Sequence, residues 1–166
     1  MVLFLLFVAA LLGGVEDVDT VDVYLFGTSY HPGHASAYEQ WNPGLGVGLT
    51  RVLRGTWCHV GAKVVTAAYR DSFGEPSAVF AGGPKVVLGD LDGFHVEGTL
   101  AFGYLHGSAV DSLAWLPHAG VGWGPVTLEG FYAPQRDYRA NAHPPGHPDY
   151  PMTSSLGAWL RLSFEL

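Results

Sequence analysis

From residue 21 to the C-terminus, apolar and polar side chains alternate in short runs broken by Gly, Pro and Asp. A two-residue period is that of a strand whose two faces meet different surroundings. The last run shows it best: Leu156, Ala158, Leu160, Leu162, Phe164 and Leu166 share one face, and Gly157, Trp159, Arg161, Ser163 and Glu165 the other. In 94–104, Phe94, Val96, Leu100, Phe102 and Tyr104 oppose His95, Glu97, Thr99 and Gly103. In 57–70, Cys58, Val60, Ala62, Val64 and Ala68 oppose His59, Gly61 and Lys63, and in 44–53 Leu45, Val47 and Leu49 stand against three glycines. Runs at 21–30, 77–88, 113–123 and 126–134 bring the predicted strands to eight.

An even set of strands of about 9–11 residues, apolar on one face and mixed on the other, predicts an all-β fold: an eight-stranded antiparallel up-and-down transmembrane β-barrel. Connection lengths agree. The links at 54–55, 89–93 and 124–125 are short, whereas 31–43, 71–76, 105–112 and 135–153 are mostly longer. Short periplasmic turns opposite longer extracellular loops are the outer-membrane arrangement. That parity places His31 and the pair Asp71-Ser72 at one rim, on the extracellular side. The soluble alternative is a lipocalin-like barrel with its apolar face inward. It would leave an outer surface largely of Gly, with few charges to solvate it.

Composition narrows the partners. Charged residues make up 14% of the chain, against roughly 25% in ordinary globular proteins. The net charge of −7, without a Lys/Arg patch, argues against nucleic acid. Cys58 is the only cysteine, which excludes an intramolecular disulfide and reads as a small apolar strand residue. Residues 1–14 form an apolar run too short to span a bilayer as a helix, which takes about 20 residues. They read as a signal peptide that lacks the usual positive n-region, leaving 15–166 as a single domain.

Four segments carry a family likeness. Tyr30-His31 ends the first strand, and Pro43 leads into Gly44-Leu-Gly-Val-Gly-Leu-Thr-Arg51. Asp71-Ser72-Phe73 is followed by Glu75-Pro76, and Leu116-Pro117 by Gly122-Trp-Gly-Pro-Val-Thr127 and Tyr132-Ala-Pro134. In this order, over roughly residues 22–166, the chain resembles the PagP family of outer-membrane lipid A palmitoyltransferases. The resemblance implies transfer of a palmitoyl-like chain from a glycerophospholipid to lipid A of lipopolysaccharide, in the bacterial outer membrane, by a monomer needing no cofactor. The family's catalytic His, Asp and Ser match His31, Asp71 and Ser72. Acyl transfer needs a base for the attacking hydroxyl and polar groups for the developing oxyanion. His31 suits the first role; Ser72 is a nucleophile or a hydrogen-bond donor, and Asp71 orients the imidazole or stabilises its cation. Pro117 and Pro134 fall on adjacent strands. Proline donates nothing to a ladder, so the pair predicts a lateral gap near the outer rim, which in the family admits lipid. Pro43 matches one member of the family's second gap, with Phe26 in place of the other. The chain also departs from the family in lacking an amphipathic helix at 15–20, which reads as a strand entrance, and in its longer, Pro- and His-rich loop at 135–153.

Other constellations also carry reactive side chains. His106-Gly107-Ser108 with Asp111 is similar to the His-x-Ser arrangement of lipid A deacylases, provided the fifth strand extends that far. A lipid hydrolase, and a non-catalytic structural or binding barrel, are therefore the alternatives to the transferase. His143, His147 and Asp149 are of metal-ligand type, but their prolines point to an open loop. Trp41, Trp115, Trp123 and Trp159 fit interfacial girdles or ordinary barrel packing.

Overall fold

The computed structural model describes residues 17–31, 40–107, 111–133 and 155–166. The expected signal peptide at 1–14, Pro134, Ser108 and the His143–His147 loop lie outside the described residues. Eight strands follow in order: β1 (Asp17–Tyr30), β2 (Trp41–Leu53), β3 (Cys58–Arg70), β4 (Pro76–Gly89), β5 (Phe94–His106), β6 (Asp111–Trp123), β7 (Val126–Ala133) and β8 (Ser155–Glu165). Each pairs antiparallel with its sequence neighbours, and β8 pairs with β1, closing the barrel. The eight strands expected from the alternation are those observed. Their ends differ: β1 starts at Asp17, β5 runs to His106, and β2 starts at Trp41, so Pro43 lies within a strand.

The two-residue period sorts side chains as predicted. On β3, His59, Lys63, Val65 and Ala67 are buried in the lumen, while Val64 is exposed outside. The outer face is mostly apolar; Leu45, Leu49, Phe80, Leu100, Leu128 and Leu160 are among its exposed residues. The inward glycines of β2 make room for bulk: a Cβ on Gly48 would lie 3.0 Å from the Tyr24 ring and 2.6 Å from the Val64 carbonyl oxygen. The short turn after β6 uses Gly124 at φ 53°, a left-handed conformation that favours glycine.

One irregularity positions the site. The register of β1 against both β2 and β8 shifts between Phe26 and Thr28. Against β8, Phe26 faces Trp159 and Thr28 faces Ala158, so Gly27 is an extra residue on β1. Such a β-bulge reverses which residues face inward. Below it Asp22, Tyr24 and Phe26 are buried; above it Ser29 and His31 are, while Tyr30 points outward.

The lumen is layered. Towards the short-turn end it is ionic: Lys63, Lys85 and Arg161 meet Asp22, Glu97 and Glu129, all buried. Arg161 grips Glu97 with two hydrogen bonds of 2.7 Å and reaches Glu129 at 3.2 Å. Lys63 pairs with Glu129, Lys85 with Glu97 at 2.7 Å, and Thr50 donates to Asp22 at 2.5 Å. Beyond this layer lies an apolar one of Tyr24, Phe26, Val65, Ala67, Val79, Ala81, Ala101, Ala114, Leu116 and Trp159. Trp159 lies on the mixed face that the alternation gave it: it is 4% exposed and packs against Phe26 and Phe131 at ring distances of 4.8 and 4.7 Å, the barrel-packing alternative. Its odd-numbered face on β8 is the lumenal one, shared with Arg161. Trp41, Trp115 and Trp123 are exposed as expected, joined by Trp57 at the short-turn end.

Candidate active site

At the end away from the short turns, the bulge delivers Ser29 and His31 to the lumen, and the β3–β4 turn delivers Ser72. Nε2 of His31 lies 2.7 Å from Oγ of Ser72, and Oγ of Ser29 lies 3.0 Å from the same oxygen. His31 is 7% exposed, and burial lowers its pKa from the ordinary histidine value. A neutral imidazole offers a lone pair at Nε2 to the Ser72 hydroxyl, and Ser29 then donates to Ser72. This is the spacing of a nucleophile and its base.

Asp71 holds the turn that aims Ser72. Its Oδ1 accepts the amides of Phe73 (2.9 Å) and Glu75 (3.0 Å), and its Oδ2 accepts the Ser77 hydroxyl (2.9 Å). The backbone closes through Asp71 N–H to the Glu75 carbonyl (2.8 Å) and Gly74 N–H to the Asp71 carbonyl (3.0 Å), with Gly74 at φ 84°. An aspartate bonding backbone amides further along the chain is a local turn device. Gly107 packs on this cluster; a Cβ there would stand 2.3 Å from Ser77 Oγ.

The structure thus brings together His31 and Ser72, with Asp71 beneath Ser72 as its positioning residue. Ser29 is a member that alternation alone misses, because the bulge at Gly27 reverses its face. Pro117 is exposed on the outer face of β6. Pairing of β6 with β7 runs from Trp123↔Val126 to His118↔Phe131 and goes no further among the described residues. On the other side of β7, Tyr132 and Ala133 remain paired with β8. Pro43 is exposed on β2 beside the bulge, in the stretch where β1 and β2 lose register. His106 is exposed on the outer face, and β5 ends there, short of Ser108.

Below the His31–Ser72 pair the apolar lumen is filled. Phe26 stacks on Tyr69 at 5.1 Å, and the cavity bounded by Phe26, Tyr69, Leu105, Phe131 and Trp159 measures about 10 Å3. That volume is room for one water and not for an acyl chain. A larger cavity of about 300 Å3 opens at the short-turn end, walled by the ion-paired Asp22, Lys85, Glu97 and Arg161. These lumenal charges, scattered singly over six strands, are the feature that sequence reasoning missed; the signal was a charged residue recurring on the mixed face of β3, β5 and β8.

Among the described residues, the buried His59 has a structural duty. His59 accepts the Gly55 amide (3.1 Å) on Nδ1 and donates from Nε2 to the Gly89 carbonyl (2.9 Å), tying two short turns together. Among the described residues no group of three His, Cys, Asp or Glu side chains is arranged to hold a metal ion. No family model matches the chain, and no curated protein matches it.

Proposed function

We propose that this chain is a lipid acyltransferase of the bacterial outer membrane, moving a fatty-acyl chain from a glycerophospholipid to lipid A. The observation that carries the reading is the 2.7 Å His31–Ser72 contact, set inside the rim of a closed barrel whose outer face is apolar. An exposed apolar belt around a closed barrel suits a bilayer, and the exposed Trp41 and Trp115 towards one end with Trp57 and Trp123 at the other suit its two interfaces. In such a setting the short turns face the periplasm and His31 and Ser72 meet lipids of the outer leaflet.

The chemistry follows from the contacts. Ser72 Oγ attacks the ester carbonyl carbon while its proton passes to Nε2 of His31. The lyso-phospholipid oxygen leaves with that proton, and an acyl-Ser72 ester remains. A lipid A hydroxyl then gives its proton to His31, attacks the ester and takes the acyl chain, and the proton returns to Ser72. The β6–β7 seam, without ladder bonds beyond His118↔Phe131 among the described residues, is the access path from the bilayer. Phe131 is only partly buried at the seam's lumenal side, and it gives way as the chain enters.

The small apolar cavity favours a second reading on the same dyad. A lipid hydrolase whose substrate chain stays in the bilayer needs no room in the lumen. One experiment separates the readings: refolded protein in detergent micelles with acyl-labelled phospholipid and lipid A, beside His31→Ala and Ser72→Ala. Labelled lipid A that disappears in both variants supports the transferase. Labelled free fatty acid alone supports the hydrolase, and no turnover by well-folded wild type overturns both in favour of a non-catalytic barrel.

A further inference from the structure

The next inward residue beside Ser29 and Ser72 is one that none of the chemistry above uses. β2 lies between β1 and β3 in the barrel. The bond from Ser29 at the end of β1 to Ser72 just past β3 therefore crosses the lumenal face of β2. Near that level the β2 side chain facing inward is Asn42: Ser29 N–H donates to the Gln40 carbonyl, and Gly44 pairs with Tyr69, which in continued register sets Asn42 level with Asp71. Pro43 follows it and keeps its backbone extended.

Asn42 is 5% exposed, and neither its Nδ2 nor its Oδ1 has a hydrogen-bond partner. Buried polar side chains are nearly always satisfied, and an amide left with both ends open is rare enough to need an explanation. Asn42 is thus the unsatisfied buried amide on the strand that lies between Ser29 and Ser72.

Resting on the acyl-transfer reading, we infer that Asn42 is a further catalytic residue, the side-chain donor to the oxygen of the ester carbonyl under attack. As Ser72 Oγ bonds to the carbonyl carbon and its proton moves to His31, the carbonyl π pair shifts onto oxygen. Nδ2–H of Asn42 donates to that oxygen; when the pair returns, the bond to the glycerol oxygen breaks and that oxygen takes the proton from His31. Oδ1 of the same amide accepts from a hydroxyl of the bound lipid A. Both open ends are thereby filled only when substrate is present, which is how a preorganised oxyanion site is kept ready.

The test uses the full chain in micelles with acyl-labelled phosphatidylcholine and lipid A, comparing wild type with Asn42→Leu and Asn42→Ala. Folding is checked by heat-modifiable gel mobility and thermal unfolding. Loss of one such donor is expected to lower kcat by about 10²–10³-fold. KM should stay within about threefold, because the interaction strengthens only in the transition state. Asn42→Leu should also raise the unfolding temperature, since it removes an unsatisfied buried amide. A kcat within about threefold of wild type, a loss carried wholly in KM, or a lowered unfolding temperature in both variants overturns the inference while leaving the acyl-transfer reading intact. A wild type that turns over no lipid overturns that reading, and the inference with it.

Discussion

Replacing Glu129 with glutamine while Lys63 stays in place strands a buried cation. Lys63 and Glu129 are both fully buried and paired with each other. The other partners of Glu129 lose less: His118 Nδ1, at 2.6 Å, still finds an amide oxygen, and Arg161 keeps its two-pronged grip on Glu97. Breaking a buried pair from one side typically costs about 3–5 kcal/mol. The rings of Tyr24 and Trp159 stand 5.4 and 5.8 Å from the Lys63 ammonium and offset part of this, about 1 kcal/mol. The expected cost of Glu129→Gln is therefore about 2–4 kcal/mol. Adding Lys63→Met removes the stranded charge at nearly constant volume, so the double variant should return to within about 1 kcal/mol of wild type. The assay is reversible urea unfolding in micelles for all four corners of the cycle, followed by Trp fluorescence. A single-variant cost below about 1 kcal/mol, or no recovery in the double variant, would refute the claim that Lys63 depends on this carboxylate.

Burial of His31 disfavours its cation, so the acidic limb of a pH–kcat/KM profile should have its midpoint below about 6.5, with activity rising as pH rises through it; a midpoint above that value would refute the assignment of His31 as base. The same shift means that the unfolded chain takes up the His31 proton first, so this residue's contribution to stability falls as pH drops below about 6.5, measurable in urea midpoints of wild type against His31→Ala. Deleting Gly27 removes the bulge and turns Ser29 and His31 to the outer face; the barrel should still fold, with activity no higher than that of His31→Ala. Asp71→Ala leaves the amides of Phe73 and Glu75 and the Ser77 hydroxyl without their acceptor. It should cost about 1–3 kcal/mol and lower kcat with Ser72 chemically intact, which Ser77→Ala should mimic more weakly.

The barrel was legible in the sequence because each strand is long enough to show its period several times. Cys58 through Ala68 states the outside and inside of β3 with scarcely an exception, and the last run does the same for β8. The proximity of His31 and Asp71-Ser72 followed from counting connections, since parity alone assigns loops to ends. What alternation does not carry is the bulge. Read straight through, the period of β1 turns Ser29 and His31 outward, and only the pairing with β8 shows the extra residue at Gly27. For Trp159 the alternation gave the inward face, while its role, girdle or packing, stayed open until its neighbours Phe26 and Phe131 were known. The ionic layer is invisible residue by residue. Six of the eight strands contribute one charge each, and their balance appears only when the strands are rolled into a ring.

That ring has an electrical consequence. Three cations and three anions, interlocked by Arg161 and Glu129 across the lumen, form a neutral septum. Set in a bilayer, it makes the barrel an insulator: an ion entering from the 300 Å3 vestibule meets partners already taken. On the acyl-transfer proposal, a rim that admitted lipid would stand above a lumen already closed to ions.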